Sequence, residues 1–213
     1  MSLKVDAAFQ RNDNQRVYFI VGDNVFRYDL EVGKKLDDGF PKKVKDYWKG
    51  LPFDKIDAVY KAKHAAKLYF FSGDMYARYD IDGERMDEGY PRQIKESWNG
   101  LPFDTIDAIC SRNKVFVDVD KEVFEKVLLF KGNEFAVYNL DADKVEEGYP
   151  KRISERLSIP FDSVDAIFQH LDHPEFYVFK DDQYLVYNIE TKTVKEGYPK
   201  AVDAGWVGVF EHA

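Results

Sequence analysis

The chain has 213 residues, a net charge of −8 and a pI near 5.1, and 45% of its residues are hydrophobic and 16% aromatic. This acidic balance disfavours binding to the phosphate backbone of nucleic acids, and the hydrophobic content disfavours disorder. With Cys110 as its one cysteine the chain cannot form an internal disulfide, and no apolar run approaches the length of a membrane span, so we expect no membrane insertion.

The N-terminal segment, residues 1–6, lacks the apolar stretch of a secretory signal peptide. We therefore expect synthesis in the cytoplasm, followed by release through a non-classical route for any role outside the cell. The segment leads directly into the first copy of a repeated motif.

Two motifs recur along the chain with a common period of about 50 to 60 residues. Asp-Ala followed by two mostly apolar residues begins at Asp6, Asp57, Asp107 and Asp165. Gly-aromatic-Pro begins at Gly39, Gly89, Gly148 and Gly197. Independent markers that keep the same period predict one domain of four structural units, at residues 5–54, 55–104, 105–162 and 163–211.

Each unit predicts the same local structure in the same order. In the first unit the aromatic run 17–21, a turn at 22–24 and the alternating run 25–29 predict a β-hairpin. The proline of the second motif cannot donate to a sheet ladder, which suits a strand at the sheet edge, and a short connector helix follows it. Four antiparallel strands per unit, repeated four times, predict an all-β, four-bladed propeller with the Asp-Ala strand innermost.

The second unit also carries a recognisable family pattern, in Ile56-Asp57-Ala58, the hairpin 68–74, Gly89-Tyr90-Pro91 and Trp98-Asn99-Gly100. On these motifs the chain resembles the hemopexin-like repeat family over roughly residues 5–210. It is similar in particular to stand-alone bacterial members of the photopexin type, and then to plant seed albumins of the same fold. Many animal members close the ring with a disulfide between the first and last blades. Here we expect closure to depend on packing of residues 202–210 against blade 1.

The resemblance also implies a cation in the central channel, held by backbone carbonyls at the start of the innermost strands. Oxygen ligands suit hard ions such as Ca²⁺ or Na⁺. The matching first ring of carbonyls belongs to Asp6, Asp57, Asp107 and Asp165, and a second ring belongs to Ala8, Val59, Ile109 and Ile167. The alternative is a water-filled channel in which the aspartates bond to turns. Catalysis by paired carboxylates is disfavoured, because identical repeats do not differentiate an acid from a base.

Three histidines form a second candidate site. His64 follows the innermost strand of blade 2, and His170 and His173 lie at the equivalent place in blade 4. Opposed loops on one face would supply two imidazoles to haem, and the alternative is that these are ordinary loop histidines. Hemopexin itself holds haem between two such domains, and this chain contains one.

Two further features mark candidate binding surfaces. The third unit has an acidic insertion around residues 115–126 and carries Leu157 where the other units have tryptophan. Tyrosines on the third strands follow arginines or valines, at Arg27-Tyr28, Arg78-Tyr79, Val137-Tyr138 and Val186-Tyr187. Any of these rings that reach the surface would suit stacking against sugars.

The sequence therefore predicts a non-catalytic recognition module that binds a surface saccharide, as a lectin does, or a host surface protein. The chain shows no Ser-His-Asp pattern, phosphate-binding glycine loop or Cys-His zinc spacing. Capture of haem or of a polyamine at an acidic axis is the alternative, and a storage or structural role is a third possibility.

Overall fold

The computed structural model describes residues 3–30, 32–62, 65–112 and 126–211, which form four antiparallel sheets. Each sheet is one blade, and its innermost strand contacts the innermost strands of the two neighbouring blades. The four innermost strands therefore surround a common axis. This arrangement confirms the all-β, four-bladed propeller predicted from the repeats.

Strands and helices follow the same order in every blade. Blade 1 contains β1 (Ala7–Gln10), β2 (Arg16–Val21), β3 (Asn24–Asp29), β4 (Lys35–Leu36), β5 (Lys42–Lys43) and α1 (Val44–Tyr47). Blade 2 contains β6 (Ala58–Lys61), β7 (Lys67–Ser72), β8 (Met75–Asp80), β9 (Arg85–Met86), β10 (Arg92–Gln93) and α2 (Ile94–Ser97). Blade 3 contains β11 (Ala108–Arg112), β12 (Lys126–Lys131), β13 (Glu134–Asn139), β14 (Lys144–Val145), β15 (Lys151–Arg152) and α3 (Ile153–Arg156). Blade 4 contains β16 (Ala166–Gln169), β17 (Glu175–Lys180), β18 (Gln183–Asn188), β19 (Thr193–Val194), β20 (Lys200–Ala201) and α4 (Val202–Gly205).

The long hairpin at the centre of each blade follows from its turn residues. β2 and β3 pair along their whole lengths, and the two-residue turn between them contains Gly22 at a φ of 58°. Tight hairpin turns that match the twist of the strands require positive φ, which glycine adopts without steric cost. Blades 2 and 3 place Gly73 and Gly132 there, and blade 4 places Asp181 there at a φ of 52°.

The outermost strand of each blade is interrupted, whereas the sequence predicts a single edge strand that starts at the Gly-aromatic-Pro motif. In blade 1, β4 and β5 pair with opposite ends of β3. Residues 37–41 separate them and contain the Gly-aromatic-Pro motif, in which Gly39 has a φ of 80° and Pro41 has no N–H to donate. The motif therefore breaks the ladder, and its aromatic–proline peptide bond is cis in all four blades.

The hydrophobic core lies at the four seams between neighbouring blades, where buried side chains form one cluster per seam. At three seams the core includes the tryptophan that follows a connector helix, namely Trp48, Trp98 and Trp206, which are 3%, 4% and 0% exposed. The seam between blades 3 and 4 has Leu157 at this position. Packing between blades therefore holds the ring together.

The C-terminal segment closes the ring against blade 1, as expected from the absence of a disulfide. The ring of Trp206 meets the ring of Phe19 edge-on at 4.6 Å. The hydroxyl of Tyr28 donates to the carbonyl of Val207 at 3.0 Å, and Val209 is buried in the same cluster. Each connector helix has four residues, and among the described residues no helix is long and apolar enough to cross a membrane.

Candidate functional site

The four repeated aspartates lie at one mouth of the central channel, immediately before the innermost strands. Each carboxylate accepts a hydrogen bond from a backbone N–H in the hairpin turn of its own blade. The pairs are Asp6 with Gly22 at 2.7 Å, Asp57 with Gly73 at 2.7 Å, Asp107 with Gly132 at 2.8 Å and Asp165 with Asp181 at 2.7 Å. These side chains therefore fix the turn to the inner strand, and backbone carbonyls are left as the candidate ion ligands.

Lysines partly neutralise this mouth. Three of the aspartates have an ammonium within hydrogen-bonding distance, as in Lys55–Asp57 at 2.7 Å, Lys131–Asp107 at 2.6 Å and Lys4–Asp165 at 3.3 Å. Burial raises the pKa of Asp6, and the charge of Asp57 raises it further. Asp57 thus still repels Asp6 despite the neighbouring lysines, and a small cation at this mouth would relieve that repulsion. The lysines oppose a polyamine at this mouth, because like charges repel.

The second ring of the prediction, Ala8, Val59, Ile109 and Ile167, lines a small cavity at the opposite end of the innermost strands. About 30 Å³ there is open to the centres of water-sized molecules, enough for one or two waters or a small ion. Gln10 borders the cavity and accepts a hydrogen bond from the N–H of Leu171 at 3.0 Å. Among the described residues, no group of three or more His, Cys, Asp or Glu side chains is placed to hold a metal ion.

Of the candidate haem ligands, the structure describes His170 and His173 but not His64. His64 lies outside the described residues, so its place opposite blade 4 stays a prediction. The rings of His170 and His173 have centroids 4.5 Å apart, and burial followed by the charge of His173 lowers the pKa of His170.

The N–H of Asp172 donates to Nδ1 of His170 at 3.1 Å, which assigns the proton of the neutral ring to Nε2. A ligating histidine ordinarily donates its second N–H to an acceptor and keeps the other nitrogen free for the metal. His170 has the reverse arrangement, since one nitrogen accepts a bond and the other carries the proton. The ring is therefore not preorganised as a haem ligand.

The tyrosines of the third strands are not surface residues. Tyr28, Tyr79, Tyr138 and Tyr187 are 0%, 3%, 1% and 3% exposed. They pack in the seams between blades, so none of these four rings is available to stack against a sugar. The alternation of the strand turns the tyrosine inward and the preceding residue to the other face.

The aromatic rings that do reach the surface belong to the Gly-aromatic-Pro motif. Phe40, Tyr90, Tyr149 and Tyr198 are half-buried, and in each blade a basic side chain two residues later lies over the ring. An exposed carboxylate two residues earlier completes what we call a rim triad. The four rim triads are Asp38–Phe40–Lys42, Glu88–Tyr90–Arg92, Glu147–Tyr149–Lys151 and Glu196–Tyr198–Lys200, with ring-to-cation distances of 5.2, 4.6, 5.1 and 4.7 Å.

The rim triads fall into two kinds. In blades 1 and 2 a second cation covers the ring, from Arg27 over Phe40 at 4.5 Å and from Arg78 over Tyr90 at 5.0 Å. Val137 and Val186 replace these arginines in blades 3 and 4. The sequence signal for all four triads is the acid and the base that flank the repeated aromatic residue.

The two remaining candidates are Cys110 and the acidic insertion of blade 3. Cys110 is buried and burial raises the pKa of its thiol, so it is not poised for reaction. Residues 113–125, which include most of the acidic insertion, lie outside the described residues, and a role for that loop in binding stays a prediction.

The chain matches the family model described as hemopexin in four segments, residues 5–52, 56–102, 119–160 and 164–209. Over 77 residues it is 38% identical to stromelysin-1 of Rattus norvegicus, and over 76 residues it is 37% identical to interstitial collagenase of Equus caballus. Each match covers 36% of this chain and 15% of the relative.

Solved structures of plant proteins share the fold over nearly the whole chain. A plant albumin from Cicer arietinum showing hemagglutination has a TM-score of 0.78 at 21% identity, with 95% of each chain covered. A plant lectin with two metal-binding sites from the same species has a TM-score of 0.76 at 22% identity, again with 95% of each chain covered. A 2S albumin seed protein from Dolichos has a TM-score of 0.77 at 23% identity, with 95% of this chain and 96% of that chain covered.

Proposed function

The chain belongs to the hemopexin family, and on that premise we propose that it is a non-catalytic module that binds saccharides through its rim triads. The observation that carries the proposal is the repetition, in every blade, of an aromatic ring flanked by a carboxylate and a base. The C–H faces of sugars pack on aromatic rings, while carboxylates and ammonium groups bond to the hydroxyls.

Four copies of one weak site suit a surface-binding protein. Triads on separate blades lie on one rigid propeller, so a ligand with several sugars raises the effective concentration for each further contact. Agglutination of cells is the behaviour expected of such multivalent binding, and hemagglutination is described for the Cicer arietinum albumin of this fold.

We place the stronger sites on blades 3 and 4. Tyr149 and Tyr198 each have one cation over the ring among the described residues, whereas Phe40 and Tyr90 have two. A second cation covers ring surface that a sugar needs. Blades 1 and 2 therefore provide a matched internal control.

A screen of labelled protein on a broad glycan array, in buffer containing Ca²⁺, tests the proposal. We expect reproducible binding that free sugar competes away. Combined Tyr149→Ala and Tyr198→Ala changes are expected to weaken it at least about tenfold, because two stacking contacts and their avidity are lost. Combined Phe40→Ala and Tyr90→Ala changes serve as the control and are expected to have a smaller effect. A blank array from folded protein, or equal loss in both variants, would overturn the proposal.

We also propose a structural cation at the aspartate mouth of the channel, held by the carbonyls of Asp6, Asp57, Asp107 and Asp165. Support comes from the repulsion between Asp6 and Asp57 and from the commitment of the aspartate oxygens to the turns. Such an ion would join the four innermost strands and take no part in chemistry. Adding Ca²⁺ to chelator-treated protein is expected to raise the melting temperature, and Na⁺ is the comparison. Equal melting temperatures with chelator, Ca²⁺ and Na⁺ would contradict this proposal while leaving the glycan result unaffected.

A further inference from the structure

A lysine of blade 1 is enclosed by aromatic rings of blade 4. Lys34 lies in the turn between β3 and β4, and its Nζ lies 4.6 Å from the ring centroid of Trp206, 4.9 Å from that of Tyr177 and 5.3 Å from that of Tyr184. The two tyrosine rings are parallel, at an interplanar angle of 7°, and Trp206 meets them edge-on. We call these three rings the seam cage.

The ammonium group is held by rings and not by a carboxylate. Within the described residues Lys34 forms no ion pair, and the nearby Glu175 pairs with Lys195. Lys195 and Lys200 both repel the ammonium. A cation over aromatic faces is stabilised by the ring quadrupoles, more strongly when it is desolvated.

Among the described residues, a ring cage filled by a lysine is found only at blade 4. Blade 2 places Tyr69, Tyr76 and Trp98 at the same three positions, but the matching turn of blade 3 carries Asp143, which accepts a hydrogen bond from Tyr138. Glu84, Asp143 and Lys192 occupy the turn positions that match Lys34, and all four residues have positive φ. The blade that precedes Lys192 in the ring is blade 3, which places Leu128, Phe135 and Leu157 at the three cage positions. Lys192 is therefore a matched lysine in the same kind of turn, opposite a blade that lacks the cage.

We propose that the seam cage is a binding site for methylated or quaternary ammonium groups, and that Lys34 is its resident intramolecular occupant. Three aromatic faces without a carboxylate favour an ammonium group that keeps its charge but has few N–H groups to donate. The turn that carries Lys34 lies at the surface, where Val32 is 65% exposed, so its outward movement opens the cage. This site is separate from the rim triads and does not depend on saccharide binding.

The seam cage holds Lys34 only weakly above neutral pH. Burial, and then repulsion from Lys200, lowers the pKa of Lys34 to about 8, while the charge of Glu175 opposes that change. Burial raises the pKa of Tyr177 to about 12 and raises that of Tyr184 as well, so these rings stay neutral. Neutral Lys34 loses its attraction to the rings, whereas a quaternary ammonium remains charged at every pH.

Calorimetric titration with choline and with its neutral isostere 3,3-dimethyl-1-butanol tests the proposal. The Lys34→Ala protein is expected to bind choline at least about tenfold more tightly than it binds the isostere, and at least about tenfold more tightly than wild type binds choline. Wild-type protein is expected to bind choline more tightly at pH 9 than at pH 7. The Lys192→Ala protein is the control and should behave like wild type, and Lys34→Gln is the second variant if Lys34→Ala does not fold.

Three results would overturn the proposal. Folded Lys34→Ala protein that does not bind choline shows that the rings do not form a site. Equal affinity for choline and the neutral isostere shows an apolar cavity without cation recognition. A gain in Lys192→Ala equal to that in Lys34→Ala places choline elsewhere on the protein.

Discussion

The seam between blades 4 and 1 and the seam between blades 2 and 3 use the same kind of core but differ in how the chain crosses them. Trp206 contacts Phe19 and Tyr28 at the first seam, as Trp98 contacts Tyr138 at the second. The chain passes directly from blade 2 to blade 3 through residues 98–107, which ties those blades together, and we call this the continuous seam. The seam between blades 4 and 1, which we call the closing seam, joins the two ends of the described chain and has no covalent link.

The closing seam adds contacts that the continuous seam does not need. The C-terminal segment is bonded to Tyr28, Lys4 pairs with Asp165, and the seam cage encloses Lys34. It also carries a cost, because the buried Nε1 of Trp206 has no hydrogen-bond partner among the described residues. Ring closure without a disulfide is therefore spread over aromatic, ionic and cation–π contacts that come from both chain ends.

Removing the tryptophans is expected to have the largest effect on the two seams. Trp206→Ala is expected to lower the free energy of unfolding by about 3–5 kcal/mol, through lost burial and the cavity that remains. Trp98→Ala is the matched control, and its loss should lie at the lower end of that range because the chain still connects blades 2 and 3. Urea denaturation measures both changes.

Limited proteolysis separates ring opening from simple destabilisation in these two variants. Trp206→Ala is expected to expose residues 202–211 to cleavage under native conditions, since nothing covalent holds that segment to blade 1. Equal stability loss and equal cleavage in the two variants would mean that chain continuity does not distinguish the seams.

Removing a tyrosine hydroxyl is expected to have a smaller effect on stability. Here the continuous seam is expected to lose more than the closing seam. At the continuous seam Tyr138 accepts from the N–H of Asn99 at 2.9 Å and donates to Asp143 at 2.6 Å, whereas Tyr28 donates one short bond to Val207. Tyr138→Phe is expected to cost about 1–2 kcal/mol and Tyr28→Phe about 1 kcal/mol, because the first change leaves an N–H without this acceptor. Thermal unfolding of both variants checks the order, and a larger loss for Tyr28→Phe would contradict it.

Much of the fold could be predicted because its signals are local and repeated. Two motifs with one period specified four units, and the glycines at positions such as Gly22 marked the hairpin turns. The interruption of the outer strand was missed, although its cause is visible in Gly39 and Pro41. A single edge strand and a split one have the same composition, and only their pairing with β3 separates them.

Less of the candidate sites could be predicted, because they depend on which side chains face outward. The sequence left open whether the tyrosines beside Arg27 and Arg78 reach the surface; they fill the seams, and the surface rings belong to the neighbouring motif. An aromatic residue on a strand buried on both faces shows no clear alternation of polar and apolar positions.

The sequence by itself determined the number of blades, their order and the tight turns, since each depends on residues close together in the chain. The tertiary structure alone decided which oxygen of the repeated aspartates is committed to a turn, which rings reach the rim and which group fills the seam cage. Lys34 and Trp206 lie in the first and last blades, and only closure of the ring brings them together. Contacts of that kind depend on the packing of distant segments, which no local pattern encodes.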